Sequence, residues 1–254
     1  MIAVKDLKKH FGIVKAVDGV TFTANSGVIT GLLGPNGAGK TTTIRMIGTL
    51  IAIDSGTAQI DNVDVANDPD GARRACGLLT DSRGVYTRMT ARENIRYYAA
   101  LRGVGIARSE KTLARFVEWL DMKDILDRRT EGFSQGERMK VAIVRALIHE
   151  PANVILDEPT NGLDVMSTRA LRELIKRLKS EGLTVMFSSH VMQEVAALCD
   201  EIIIISHGRV TAQGSANQLM EQSGRQTLED AFIALTGVEN AALATAAESS
   251  EEAA

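Results

Sequence analysis

Gly34-Pro35-Asn36-Gly37-Ala38-Gly39-Lys40-Thr41-Thr42 is the stretch whose reading decides the fold. It follows an apolar run, Val28-Ile29-Thr30-Gly31-Leu32-Leu33, and precedes Thr43-Ile44-Arg45-Met46-Ile47, whose apolar positions suit a helix. Strand, glycine loop and helix in that order, with G-x-x-x-x-G-K-T at the junction, form the context of a phosphate site. The glycines let the backbone curl so that successive N–H groups point at phosphate oxygens, and the positive end of the helix dipole faces the same anion. Lys40 is expected to reach the β- and γ-phosphates, and Thr41 to offer its hydroxyl to Mg²⁺. A glycine-rich turn with a solvated lysine is the bland alternative, and the strand, helix and Lys-Thr pair together argue against it. The implied ligand is a nucleotide.

The 254 residues are enough for one large domain, or one domain with a subdomain. Apolar residues at 44% and charged residues at 24% are ordinary for a globular protein. With 29 basic against 32 acidic residues the net charge is −3, which gives no electrostatic footprint for nucleic acid. Cys76 and Cys199 sit in apolar settings far apart and read as reduced core residues. The start, Met1-Ile2-Ala3-Val4-Lys5-Asp6, lacks a basic-then-apolar signal pattern. The pure apolar run Ile202 to Ile205 is far short of the roughly 20 residues a membrane helix needs. If this chain works at a membrane, a partner chain is expected to take it there.

Ile2 to Leu7 and Val17 to Thr23 alternate as half-exposed antiparallel strands do, with Lys9-His10-Phe11-Gly12 between them. Phe11, ahead of a phosphate loop, either stacks on an adenine or plugs the core. After the first helix, Asp54-Ser55-Gly56 reads as a turn and Thr57 to Asp61 as a strand. Asn67-Asp68-Pro69-Asp70 caps a short helix around Gly71 to Arg74, and Cys76 to Leu79 is a short strand ending at Thr80-Asp81. From Thr90 the pattern turns helical: a capping box at Thr90-Ala91-Arg92-Glu93, then two amphipathic faces through Arg129. A helix opening at Glu131 to Glu137 closes before Pro151, and alternating strands and helices follow to Thr211. Beyond about Val238 the Ala- and Glu-rich, aromatic-free tail is expected to be disordered.

Val154-Ile155-Leu156-Asp157-Glu158 puts two carboxylates where a buried strand emerges. Asp157 suits a role beside Mg²⁺, and Glu158 can polarise the water that attacks a γ-phosphate. His190 also ends an apolar strand, where a neutral imidazole can donate to a γ-phosphate oxygen, although a lone histidine is more often structural. Asp81 at another strand end either reaches the metal region or caps its loop. Ser134-Gln135-Gly136-Glu137 at a helix start is either a second anion site or plain capping by Ser134. Two phosphate-ready helix starts in one chain suggest two chains that share nucleotides.

Together these stretches resemble the ATP-binding subunit of an ABC transporter, from Met1 to roughly Gly237. Gly34 to Thr42 matches the Walker A loop, Val154 to Glu158 the Walker B strand, Asn161-Gly162-Leu163-Asp164 the D-loop, and His190 the switch histidine. Phe133-Ser134-Gln135-Gly136-Glu137 is similar to the family signature Leu-Ser-Gly-Gly-Gln, with Ser134 and Gly136 kept. Phe11 falls where the family stacks an aromatic on adenine. Asp81 stands where most members have a glutamine that ligates Mg²⁺. The run from Leu79 to Tyr86, with Thr90 to Asn94, is similar to the sodium-extrusion branch of bacterial exporters.

The resemblance implies an α/β fold: a P-loop ABC cassette with a mixed RecA-like sheet, an N-terminal antiparallel β subdomain and an inserted helical subdomain at about 88–150. It implies an ABC domain over 1–237, with 238–254 as tail. It further implies ATP and Mg²⁺ as ligands, with Thr41, Asp157 and Asp81 on the metal. Catalysis falls to Glu158 and His190, and nucleotide binding to Phe11, Gly34 through Thr42 and Ser134 through Glu137. The expected partners are a second copy, head to tail, and an integral-membrane permease at the cytoplasmic face, with no nucleic acid. The expected work is powering export of sodium or a small molecule. The competing reading, a soluble ABC ATPase acting on ribosomes or DNA, sits poorly with one cassette and a mildly acidic balance.

Overall fold

The computed structural model describes residues 1–81 and 84–237, so the expected tail at 238–254 lies outside the described residues. Strands β1 (Ile2–Phe11) and β2 (Val14–Ala24) pair antiparallel as a hairpin. β3 (Ile29–Leu33) is buried at all five positions and leads through the glycine loop into α1 (Lys40–Ile47). β4 (Ser55–Ile60) returns to pair antiparallel with β1, and β5 (Val63–Asp64) extends that sheet, giving the order β2-β1-β4-β5.

Strand boundaries differ from the sequence reading at the hairpin end and at the start of β4, among others. Lys9, His10 and Phe11 continue β1, with Lys9 opposite Val17 and His10 opposite Lys15. Their alternation was hidden because the hairpin end projects beyond the core, with Ile13 fully exposed. Ser55 and Gly56 belong to β4 rather than a turn. Gly56 takes φ +87° where β1 bulges around Asp6, and any Cβ there would meet the Asp6 carbonyl.

The chain then forms α2 (Pro69–Ala75), capped by Asp68, and β6 (Cys76–Leu79). Three helices follow: α3 (Ala91–Leu101), α4 (Ile106–Trp119) and α5 (Gln135–Leu147). α3 and α5 each start with a reciprocal capping box, Thr90 with Glu93 and Ser134 with Glu137. The rest alternates: β7 (Asn153–Leu156), α6 (Val165–Ser180), β8 (Thr184–Ser189), α7 (Met192–Leu198), β9 (Glu201–Ser206), β10 (Arg209–Gly214), α8 (Ala216–Ser223) and α9 (Leu228–Thr236). The second sheet runs β10-β9-β3-β8-β7-β6, parallel except for the β9–β10 pair.

Both faces of this sheet are covered, which explains why its strands read as near-continuous apolar runs. Alternate side chains enter different layers. Leu33, Val154, Leu156, Phe187 and Ile204 pack with α3, α5 and α6. Leu32, Ile155, Met186, Ile203 and Ile205 pack instead with Ile44 and Ile47 of α1 and the inner face of the antiparallel sheet. β3 is therefore held from both sides, and the loop that leaves it starts from a rigid base.

Candidate functional site

Parallel strands bring their carboxyl ends to one edge, where open α/β sheets place ligands. β3 delivers the glycine loop, β7 delivers Asp157 and Glu158, and β8 delivers Ser188, Ser189 and His190. Phe11, Asn36 through Thr42, Glu158 and His190 line one cleft of about 530 Å³, together with Ala16 and Asn161. The structure thus brings together an aromatic ring, a glycine loop, a lysine, a carboxylate and an imidazole that the sequence scatters over 180 positions.

In the loop, Gly39 adopts φ +103°, and a Cβ there would strike the Ala16 carbonyl. α1 begins without a side-chain cap, unlike α3 and α5, so its first N–H groups are free of side-chain acceptors. Lys40 is buried; its Nζ donates to the carbonyls of Gly34 at 2.7 Å and Pro35 at 3.2 Å, and lies 3.5 Å from Glu158 Oε1. A desolvated ammonium beside uncapped N–H groups is a strong anion attractor.

Asp157 is 1% exposed. Its Oδ1 accepts from Ser188 Oγ at 2.7 Å and Thr41 Oγ1 at 3.1 Å. Its Oδ2 is buried with no hydrogen-bond partner. Burial holds this carboxyl above the usual carboxylate range, the Ser188 and Thr41 hydroxyls act against that, and the Asp81 and Glu158 charges reinforce it. An orphaned carboxylate oxygen costs roughly 1–3 kcal/mol or more. A small hard cation at Asp157 and Thr41 would remove that cost, because both offer oxygen ligands.

Glu158 takes φ +45°, a left-handed conformation that costs a non-glycine residue on the order of 1 kcal/mol. Its N–H donates to Ser188 Oγ at 2.8 Å, and its carbonyl accepts from Asn161 N at 3.1 Å. Its carboxylate lies between Lys40 and His190, with Oε2 2.9 Å from Nδ1 of the imidazole. His190 is exposed and faces the cleft.

Phe11 is 52% exposed, so it is no core plug; it is a ring offered to the cleft wall. Asp81 emerges beside Asp157, because Leu79 pairs with Leu156 and the Leu79 carbonyl accepts from Asp157 N. Its carboxylate lies 3.3 Å from the Arg45 guanidinium. Ser134 to Glu137 stand outside the nucleotide cleft. The Ser134 hydroxyl caps α5, accepting from Glu137 N at 3.2 Å, and stays exposed. Gln135 lines a neighbouring cleft with Asp81, Glu158 and Asn161. Gly136, in the first turn of α5, is buried against the start of α6: a Cβ there would collide with Ser167 Oγ.

Sequence reading passed over Ser188, Ser189, Thr160 and Glu194. Ser188 joins the Asp157 carboxylate to the Glu158 N–H, and Ser189 joins Glu194 to the Val191 N–H. The signal was two hydroxyls closing the otherwise apolar strand Thr184-Val185-Met186-Phe187, at its ligand-facing end. Their partners lie on other elements, so spacing along the chain could not reveal them.

A family described as ABC transporter matches residues 17–161. The chain is 40% identical over 238 residues to the ABC transporter ATP-binding protein NatA of Bacillus subtilis (strain 168), covering 92% of this chain and 97% of that protein. It is 34% identical to the daunorubicin/doxorubicin resistance ATP-binding protein DrrA of Streptomyces peucetius, covering 89% of this chain and 69% of that one. Among solved structures, the ATP binding subunit of an ABC transporter superposes with TM-score 0.86 at 31% identity, covering 93% of this chain and 99% of that one. A dimeric bacterial ABC transporter cassette, MJ0796, superposes with TM-score 0.75 at 26% identity, covering 85% of this chain and 98% of that one.

Proposed function

The chain belongs to the ABC transporter family as an ATP-binding, ATP-hydrolysing subunit, and on that premise we propose that the cleft between Phe11 and His190 hydrolyses ATP to drive a membrane exporter. The observation that carries this reading is the buried Asp157 Oδ2, left without a partner beside Thr41 and next to Glu158.

In this reading Phe11 stacks on the adenine. The loop Gly34 to Thr42 cradles the phosphates with its N–H groups, and Lys40 turns from the Gly34 and Pro35 carbonyls to the β- and γ-phosphates. Thr41, Asp157 and Asp81 would hold Mg²⁺, which neutralises charge on the β- and γ-phosphate oxygens when bound. Glu158 accepts the proton of the attacking water as its oxygen bonds to the γ-phosphorus; the bond to the β–γ bridging oxygen breaks, giving ADP and phosphate. His190 donates to a γ-phosphate oxygen and reports its presence to β8.

Residues 1–237 act as the ATP-binding cassette, with the helical segment at about 88–150 as its inserted arm. A second copy completes the site head to tail, presenting the start of its α5, Ser134 to Glu137 with Ser134 exposed, to the first copy's ATP. The exposure of Ser134 and the dimeric cassette among similar structures support this arrangement. ATP closes the pair and hydrolysis opens it, the switching energy coming from contacts made to ATP and not to ADP. An integral-membrane permease holds the chain at the cytoplasmic face and converts closure into export. Likeness to a drug-resistance protein supports small-molecule efflux, and likeness to the sodium-extrusion branch supports sodium.

The test is Mg²⁺-dependent phosphate release by the full chain with and without Glu158→Gln. We expect turnover to fall at least about 100-fold, with ATP affinity within about threefold. Unchanged hydrolysis in the variant would sink the assignment of Glu158. Purification from membranes should recover the chain with a permease whose cargo stimulates hydrolysis; activity answering only to ribosomes or DNA would end the transport reading.

A further inference from the structure

Glu194 on α7 is a charged residue only 6% exposed and outside the nucleotide cleft. One oxygen, Oε2, accepts from Thr160 Oγ1 at 2.6 Å and from Ser189 Oγ at 3.1 Å. The other, Oε1, lies 3.8 Å from an Arg172 nitrogen on α6. Thr160 stands two residues after Glu158 and opens the turn that runs through Asn161 to Asp164. Ser189 directly precedes His190 and accepts from the Val191 N–H at 3.0 Å. The two backbone segments that present Glu158 and His190 therefore converge on one carboxylate oxygen.

Packing alone does not call for this arrangement. A buried carboxylate loses solvation that two neutral hydroxyls and a guanidinium 3.8 Å away recover poorly, and an apolar side chain would fill the same volume more favourably. What the carboxylate supplies is geometry. Glu158 sits at φ +45°, a conformation that persists only where its surroundings over-determine it. Ser188 fixes the residue from its N–H side, and Glu194 through Thr160 fixes the segment that follows.

We infer that Glu194 is a positioning residue for hydrolysis: it clamps the Thr160 segment to the Ser189 segment, so that the backbone positions from which Glu158 and His190 enter the cleft stay fixed relative to each other when phosphate replaces their 2.9 Å contact. This rests on the reading in which Glu158 and His190 act on the water and the γ-phosphate. The clamp touches neither ATP nor the loop Gly34 to Thr42, so it governs turnover and not binding.

The experiment removes each arm without touching the buried charge. Thr160→Val and Ser189→Ala should each lower kcat about tenfold, since small misplacement of a reacting group is costly. KM for ATP should stay near wild type, while the thermal midpoint falls by several degrees, because each variant strips a donor from a buried carboxylate. The double variant should fall no more than about twofold below the weaker single, because both arms belong to one clamp. Thr160→Ser, which keeps the hydroxyl, should restore turnover. Wild-type kcat in both singles, with Glu158→Gln inactive in the same assay, overturns the clamp. So does a loss of kcat that tracks a loss of thermal midpoint and is not rescued by Thr160→Ser. Turnover surviving in Glu158→Gln is a different result: it removes the catalytic assignment on which the clamp rests.

Discussion

The carboxylate of Glu158 is held from two sides: Oε2 lies 2.9 Å from Nδ1 of His190, and Oε1 lies 3.5 Å from Nζ of Lys40. Its two neighbours are the groups that the proposed function brings to a γ-phosphate. In that reading an incoming phosphate competes for Lys40 and His190, and so hands the carboxylate over to water. Removing the imidazole should leave binding to the lysine and the loop. His190→Ala is expected to lower kcat about 100-fold, in the range of a lost acid–base partner, with the dissociation constant for ATP within about threefold. Phosphate release and equilibrium binding read the two separately; a variant that binds poorly but turns over normally contradicts this division.

Asp157 shows a site arranged for a ligand at the expense of the empty protein. Its folded-state carboxyl titrates above the unfolded one, mainly through burial. Its contribution to stability is therefore best at pH below the unfolded value and is lost as pH rises through the folded one. Asp157→Asn removes the buried charge and should stabilise the nucleotide-free chain by about 1 kcal/mol. For a chain of this size that is about 2–4 °C in thermal midpoint. The same variant should lose the response of its midpoint to Mg²⁺ with ATP. Melting curves with and without the two ligands decide it, and a lowered midpoint in their absence contradicts the account.

Phe11 can be truncated to distinguish a binding ring from a packing ring. A core phenylalanine costs roughly 3–5 kcal/mol on truncation, whereas a ring 52% exposed at a hairpin end should cost little stability. Stacking on a base contributes about 1–3 kcal/mol, so Phe11→Ala should weaken ATP binding about tenfold while the urea midpoint hardly moves. Phe11→Trp should restore affinity. Equal affinity in all three proteins rules out the stack.

His149 supplies an acid sensitivity unrelated to the cleft. Burial, helped by the charges of Arg102 and Arg108, pushes its imidazole down to about 4, and its Nε2 lies 3.2 Å from the Cys76 carbonyl. The depressed folded value means that the unfolded chain takes up the proton first. Stability from this group is present above about 6.5 and is lost as pH falls towards about 4. Allowing for the ring's partial exposure, the loss between pH 7 and pH 5 is about 1 kcal/mol. His149→Gln should lose less stability over the same interval in urea titrations; an identical loss assigns the acid sensitivity elsewhere.

What the sequence disclosed depended on how locally each feature is encoded. The loop from Gly34 to Thr42 is one contiguous run between a strand and a helix, and its environment could be read directly. Asp157 and Glu158 were legible because an apolar strand stops at them. Phe11 was ambiguous, since nothing nearby tells whether a hairpin end projects from the core or folds onto it. The pairs Thr160 with Glu194, Ser188 with Asp157 and Arg45 with Asp81 span 31 to 36 positions and different elements. They depend on the order of strands in the sheet, and no periodicity encodes that order. Ser134 illustrates a different limit, because its hydroxyl does cap α5, and a second role requires a surface that a single chain cannot display.

The left-handed backbone at Glu158 has an implication for anyone selecting variants of this protein. Glycine or asparagine relaxes such a position by on the order of 1 kcal/mol, and neither carries a carboxylate. Asp157 is likewise more comfortable uncharged. Screens that reward heat resistance alone will therefore collect changes at the two positions that the proposed chemistry can least spare. A library meant to yield a hardier working enzyme has to hold residues 157 and 158 constant and search for its gains elsewhere.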